Sequence, residues 1–182
     1  MKLTADQCMA RLAGHDHGVL STVHTDRGVD AIPVVHAATR DGHVGIPIDN
    51  VKPKTSTRLQ RERNLEHDPR ATLLAQGWDP ADWSKLWWVR AHLQWVTAPS
   101  AELTEELSAA LAAKYPQYAD RPFADVLVFR TVEITGWSEV PAYEAATHRL
   151  VWAMSSKEKG APAEAGQGVN YNTYALGREG YL

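Results

Sequence analysis

Apolar positions along the chain come in short alternating bursts separated by turn-forming residues, and this pattern predicts more strand than helix. His17–His24 (HGVLSTVH) is rich in β-branched residues and reads as a strand. Asp26 and Gly28 make the tight turn that follows, and Val29–Ala38 is its hairpin partner. Pro33 interrupts that partner and has no N–H to give a ladder, so it belongs at an edge or a bulge. Asp41-Gly42 supplies a second hairpin turn, and Val44–Asp49 is the third strand. Ala71–Gly77, Ser84–Val96 and Phe123–Trp137 are three more. Short turns between the first three strands argue for an antiparallel meander rather than βαβ units.

Helical spacing is confined to three places. Leu3–Leu12 is short and amphipathic, with Thr4 or Asp6 as its cap. Ser56–Glu66 follows the third strand, capped by Thr55 or Ser56 and stopped before Pro69. It has only Leu59 and Leu65 to bury, so it is a surface helix. The third helix runs from a Ser100 cap to about Lys114, with Leu103, Leu107 and Leu111 along one side. The predicted architecture is a mostly β barrel of six strands with helical insertions.

Composition narrows the class. The chain has 182 residues, 44% of them hydrophobic and 23% charged, with a formal net charge of -3. Those values fit a globular domain and do not favour general nucleic-acid binding, which calls for a basic domain. The lone Cys8 excludes an intrachain disulfide framework and fits a cytoplasmic location. No run approaches the roughly 20 apolar residues needed to cross a bilayer, and the N-terminus lacks the apolar stretch of a signal peptide. After Trp137 the composition shifts to Ala, Gly, Glu and Lys. The expected organisation is a folded domain over 1–137 and an extension over 138–182, linker-like across Ser155–Gly168 but carrying Tyr171, Tyr174 and Tyr181 at its end.

The most informative stretch is Asp49–Arg70 (DNVKPKTSTRLQRERNLEHDPR). Lys52, Lys54, Arg58, Arg61 and Arg63 cluster there on an otherwise mildly acidic chain. A strand, a cationic turn with hydroxyls and a helix start together favour an anion, because free N–H groups and the helix dipole point where the lysines point. Lysines supply point charges and Arg58 a two-pronged grip suited to phosphate, whereas a bare run of charge is more commonly a solvated face. Arg61 and Arg63 fall on another side of the helix and are expected at the surface or in a subunit contact. Trp78, Trp83, Trp87 and Trp88 mark a second unusual stretch in a chain with seven tryptophans and two phenylalanines. On a strand, Trp87 and Trp88 point to opposite faces. His15, His17 and His24 lack the spacing and companions of a metal site. No nucleophile–base constellation stands out.

The order of these elements, with IDNVKPKTSTRLQRERN…DPRATLL, resembles the pyridoxamine-5′-phosphate-oxidase-like split barrels. DWSKLWWVRAHLQWV and the ITGW of Ile134–Trp137 are similar, more narrowly, to a branch of probable F-420-dependent (deazaflavin) enzymes. The resemblance spans His15 to Trp137. It implies a six-stranded antiparallel split β-barrel of the FMN-binding type and a homodimer with cofactor sites at the interface. The implied cofactor is coenzyme F-420, or alternatively FMN. By the matching positions, Lys52, Lys54, Thr55 and Arg58 would touch its phosphate, while Asp49 and Asn50 would border its ring. Pro33 and Val34 would pass the ring, and Trp87, Trp88 and Arg90 would lie near the cofactor or the dimer interface. His36, on the strand that passes the cofactor, would touch substrate. The chain departs from many relatives in having Ile46-Pro47 where they carry an aromatic residue, and in continuing past Trp137. The implied activity is hydride transfer between reduced F-420 and a small organic acceptor. The alternatives are an FMN-dependent oxidase or reductase, or a non-catalytic cofactor-binding protein.

Overall fold

The computed structural model describes residues 1–50, 58–139, 143–144 and 149–150. By its internal contacts the chain divides into two units: Lys2–Gln76 with Trp88–Trp137, and Met1 with Gly77–Trp87 and Ser138–Leu182.

The larger unit is built on a seven-stranded sheet. Its strands are β1 (His17–His24), β2 (Gly28–Val35), β3 (Ala37–Ala38), β4 (His43–Asp49), β5 (Arg70–Gly77), β6 (Trp87–Trp95) and β7 (Phe123–Ser138), in the order β2-β1-β5-β6-β7-β4-β3. β1 pairs antiparallel with β2 and β5, and β4 pairs antiparallel with β3 and β7. Among the described residues the sheet ends at β2 and β3 and does not close. Pro33 sits on the edge strand β2, opposite Val19.

Three helices attach to this sheet: α1 (Ala5–Gly14), α2 (Gln60–His67) and α3 (Ala101–Lys114). Thr4 caps α1, and its capping box is completed by Gln7. Ser100 caps α3 through Leu103 N–H. Leu107 and Leu111 of α3 are buried with Ala37, Val126, Val128 and Tyr118. Gly45 makes room for this packing, since a Cβ there would stand 3.0 Å from Leu107 Cβ. β4 is therefore covered on both sides and is buried from Val44 to Ile48.

In three places the elements differ from the pattern. The predicted strand Val29–Ala38 breaks at His36, which raises the strand number from six to seven. The main-chain groups of His36 are taken by Tyr115 and Lys114: its N–H meets the Tyr115 hydroxyl at 3.2 Å and its carbonyl accepts from Lys114 Nζ at 3.1 Å. The predicted strand from Ser84 begins instead with a 3-10 turn, Trp83–Lys85, because Asp82 accepts the Ser84 N–H. The second helix starts at Gln60 rather than Ser56, with the Glu62 carboxylate accepting the Leu59 N–H at 2.7 Å. The proposed caps Thr55 and Ser56 lie outside the described residues.

In the smaller unit, β8 (Tyr143–Glu144) pairs antiparallel with β9 (Arg149–Leu150). Met1 and Ser138 exchange main-chain hydrogen bonds, and Glu139 N–H reaches Leu86 O at 2.9 Å. Gly77 and Trp87 also meet here, the indole occupying the space that a Cβ on Gly77 would take.

Candidate functional site at the end of β4

β4 carries the chain out of the core at Asp49, where the register with β7 shifts. The shift frees Asp49 from strict alternation and leaves it half-buried. Its Oδ2 accepts a hydrogen bond from the Tyr118 hydroxyl at 2.7 Å. Tyr118 belongs to a 3-10 turn, Pro116–Tyr118, and packs edge-on against Phe123 with ring centroids 5.0 Å apart. Burial, reinforced by the Asp49 carboxylate, drives the Tyr118 hydroxyl far above its usual range, so it remains a donor. Asn50 is exposed, and its N–H is anchored on Pro122 O at 2.8 Å.

Lys52, Lys54 and Thr55 fall outside the described residues. Arg58 is described and is half-exposed, in an ion pair with Glu66 of α2. Arg63 is also exposed, bonded to Arg58 O and Gln60 Oε1.

Arg61 is not the solvent-exposed surface cation expected of it. It lies against the end of β4, with one guanidinium nitrogen donating to Pro47 O at 3.2 Å. Its Nε is buried and has no hydrogen-bond partner among the described residues. Burial lowers the guanidinium's pKa, while the nearby carboxylates of Glu62 and Asp49 and the Tyr118 hydroxyl act the other way. The signal for this placement was in the helical spacing. Arg61 stands four residues before Leu65, which is 1% exposed, so both occupy the inward face of α2.

Asn64 fixes that face. Its Nδ2 donates to Thr22 Oγ1 and to Asp30 Oδ2, each at 3.0 Å, and its Oδ1 accepts from Gln60 at 2.9 Å. α2 is thereby fastened to the β1–β2 hairpin despite having little apolar surface. Asp30 is itself clamped by Arg27 through two 2.9 Å bonds, which holds its carboxyl down at about 2.

The remaining expected residues are spread over other strands. Pro33 is exposed and Val34 buried, so the two point to opposite faces of β2. Trp88 and Arg90 share a face of β6, with the guanidinium 5.7 Å from the ring centroid. In the sheet, β7 stands between β6 and β4. Trp87 faces the other way and lies against Gly77. His36 needs correction. It is fully buried, its Nε2 is 2.8 Å from Leu12 O, and it presents no surface to a substrate.

The described residues around Asp49 thus form one acidic oxygen with a neutral donor, next to a desolvated guanidinium with an unmet N–H. The unmet Nε–H and its positive charge fit an anionic oxygen, and the sequence places Lys52 and Lys54 in the segment joining Asp49 to α2.

Among solved structures, a FAD-binding protein from Mesorhizobium loti is 15% identical, with 75% of this chain and 93% of that one covered and a TM-score of 0.55. A conserved hypothetical protein from Mycobacterium tuberculosis is 16% identical, with 91% and 93% covered and a TM-score of 0.58. The heme storage protein from Vibrio cholerae is 15% identical, with 71% and 89% covered and a TM-score of 0.51. At these identities the likeness is one of fold. The chain has the mostly antiparallel β fold of split-barrel flavin-binding proteins, here with an open seven-stranded sheet. A family model described as "Protein of unknown function (DUF2167)" matches residues 128–182. No curated protein matches the chain.

Proposed function

We propose that this chain binds a phosphate-bearing flavin-type cofactor at the end of β4, and that it is an oxidoreductase passing a hydride between reduced coenzyme F-420 and a small organic acceptor. The observation that carries the binding site is Arg61, a cation drawn into the protein with a buried Nε–H left unmet among the described residues. A buried unpaired donor is costly, and an anion repays that cost. In this reading Arg61, Lys52, Lys54 and Thr55 hold the phosphate, and Asp49 and Asn50 border the ring. Arg58 reaches the phosphate by exchanging Glu66 for it. Bound there, the deazaflavin or flavin supplies the hydride chemistry. The protein's own groups bind, orient and exclude water, a role that requires no nucleophile–base pair. The F-420 assignment rests on the Trp83–Val96 and Ile134–Trp137 resemblance. The fold is equally open to FMN.

We also propose that the active form is a homodimer. Val29, Ala31 and Pro33 are exposed at alternate positions of β2, an apolar row that a second copy would cover.

Titration of the purified chain with F-420, FMN and hemin tests the reading. Micromolar binding of F-420 with a fluorescence change supports it. Tight FMN binding with absorbance near 450 nm and no response to F-420 replaces it with the FMN-dependent alternative, and hemin binding alone would remove the hydride role. Arg61→Ala is expected to weaken cofactor binding about 10- to 100-fold, and Lys52→Ala with Lys54→Ala by about 2 kcal/mol or more, as for lost charge-assisted bonds. Unchanged affinity in Arg61→Ala would move the phosphate site elsewhere.

A further inference from the structure

His36 is a buried titratable group that the proposed binding site does not use. It occupies the break between β2 and β3, where the end of α1, the start of β1 and the end of α3 meet. Its Nε2 is 2.8 Å from Leu12 O, the last buried residue of α1. A carbonyl can only accept, so the proton is on Nε2 and the lone pair is on Nδ1. Nδ1 is buried without a partner among the described residues.

The surroundings are poor in counter-charge. From α3, Lys114 Nζ donates to Ala13 O and His36 O, at 2.9 and 3.1 Å, and also reaches His15 O. Tyr115 places its hydroxyl 2.8 Å from His36 O and 2.5 Å from Asp16 O. The link from α1 to β1 brings His15 and Asp16, and β1 opens with His17, its ring 5.1 Å from that of His15. On α1 itself Cys8 and Arg11 interact with each other. Asp16 is the nearby acid and acts on His15 and Lys114. Charging His36 would therefore place a second cation beside Lys114 and a new N–H where no acceptor stands.

We propose that this cluster is an acid-triggered release for α1: protonation of His36 spoils the seat of the helix end, and α1 lifts from the β2–β3 break while the sheet stays folded. Burial, with Lys114 as the largest like charge, lowers the His36 pKa from 6.5 to about 4. The docked-state value lies below the free one. Docking is therefore strongest above pH 6.5, weakens as the pH falls toward 4, and loses nothing further from this group below that. The other end of α1 is tied separately, through Leu3 N–H on Gly136 O at 2.9 Å. Undocking thus exposes Cys8 and Leu12, both fully buried, without freeing the N-terminus.

Cys8 is the one cysteine of the chain and makes the test direct. The full chain is labelled with 4,4′-dithiodipyridine, which reacts in acid, and rates are normalised to a free thiol at each pH. Relative to pH 7.5, the open fraction is expected to rise about tenfold at pH 5.5 and toward a hundredfold at pH 4.5. His36→Gln, which keeps a donor for Leu12 O, should flatten that dependence. Hydrogen exchange should show α1 amides opening while β5 amides stay protected. Labelling independent of pH, equal pH dependence in His36→Gln, or joint opening of α1 and β5 would each overturn the proposal. If His36→Gln does not fold, imidazole NMR of the wild-type chain decides: a neutral ring protonated on Nε2 at pH 6 supports the device, and a charged ring at that pH rejects it.

Discussion

Gly136 is glycine because three atoms crowd its face. A Cβ there would stand 2.8 Å from Cys8 Sγ, 2.9 Å from Trp88 O and 3.1 Å from Val89 Cγ2. The Trp88 oxygen is main chain and cannot swing aside. Gly136→Ala should therefore cost about 1–3 kcal/mol, read from urea unfolding, through overpacking rather than altered φ. Asn64 is the opposite kind of residue, buried because its bonds are met. Asn64→Ala strips the donors from Thr22 and Asp30 and should cost about 2 kcal/mol by the same measurement. At this scale the sequence was least transparent. The charge of Arg61 pointed to the surface, while its step of four to Leu65 pointed inward, and packing decided for the step. His36 looked like a group available to substrate. Its burial depends on Leu12 and Lys114, which are distant in the chain and leave no local trace.

Elements were far more legible. Strands β1, β4, β5 and β7 fall within a residue or so of the spans expected; β1 and β5 bury one face in a period of two, and β4 is a continuous buried run set off by its turn residues. Helix α3 follows its expected Ser100 cap, and of the two caps expected for α1, Thr4 or Asp6, Thr4 is the one used, which moves the helix from Leu3–Leu12 to Ala5–Gly14. The errors occur where a side chain from elsewhere captures main-chain groups, as at His36, or where a short Asx turn replaces extended chain, as at Asp82–Ser84. Caps also carry a prediction. Ser100→Ala should lower stability by about 1 kcal/mol, and Ser100→Asp should restore it, since either oxygen accepts the Leu103 N–H.

For the whole molecule, acid should act in two stages. Below pH 6.5 the burden falls on His36 and on His15, both of which burial holds below their ordinary value and which bind a proton more readily once released. Asp30 and Asp68, paired with Arg27 and Arg70, are held near 2, below the usual 3.8. Their contribution is complete above that ordinary value and disappears as the pH drops toward 2. Urea midpoints should therefore decline from pH 7 to 4.5 and again below 4. His36→Gln should reduce the first decline and leave the second unchanged. The proposed dimer adds a concentration test: Val29→Lys should shift the mass measured by light scattering toward monomer, and an unchanged dimer would move the interface off β2. One consequence of Pro33 concerns the molecule's neighbours rather than its core. A free sheet edge is a template on which other chains can add strands. Midway along that edge, Pro33 has no hydrogen to offer an incoming strand, so a fibril seeded on β2 would meet a gap in its ladder. Pro33→Val would fill the gap and should raise thioflavin-positive aggregation on long incubation, with the fold and its stability nearly unchanged.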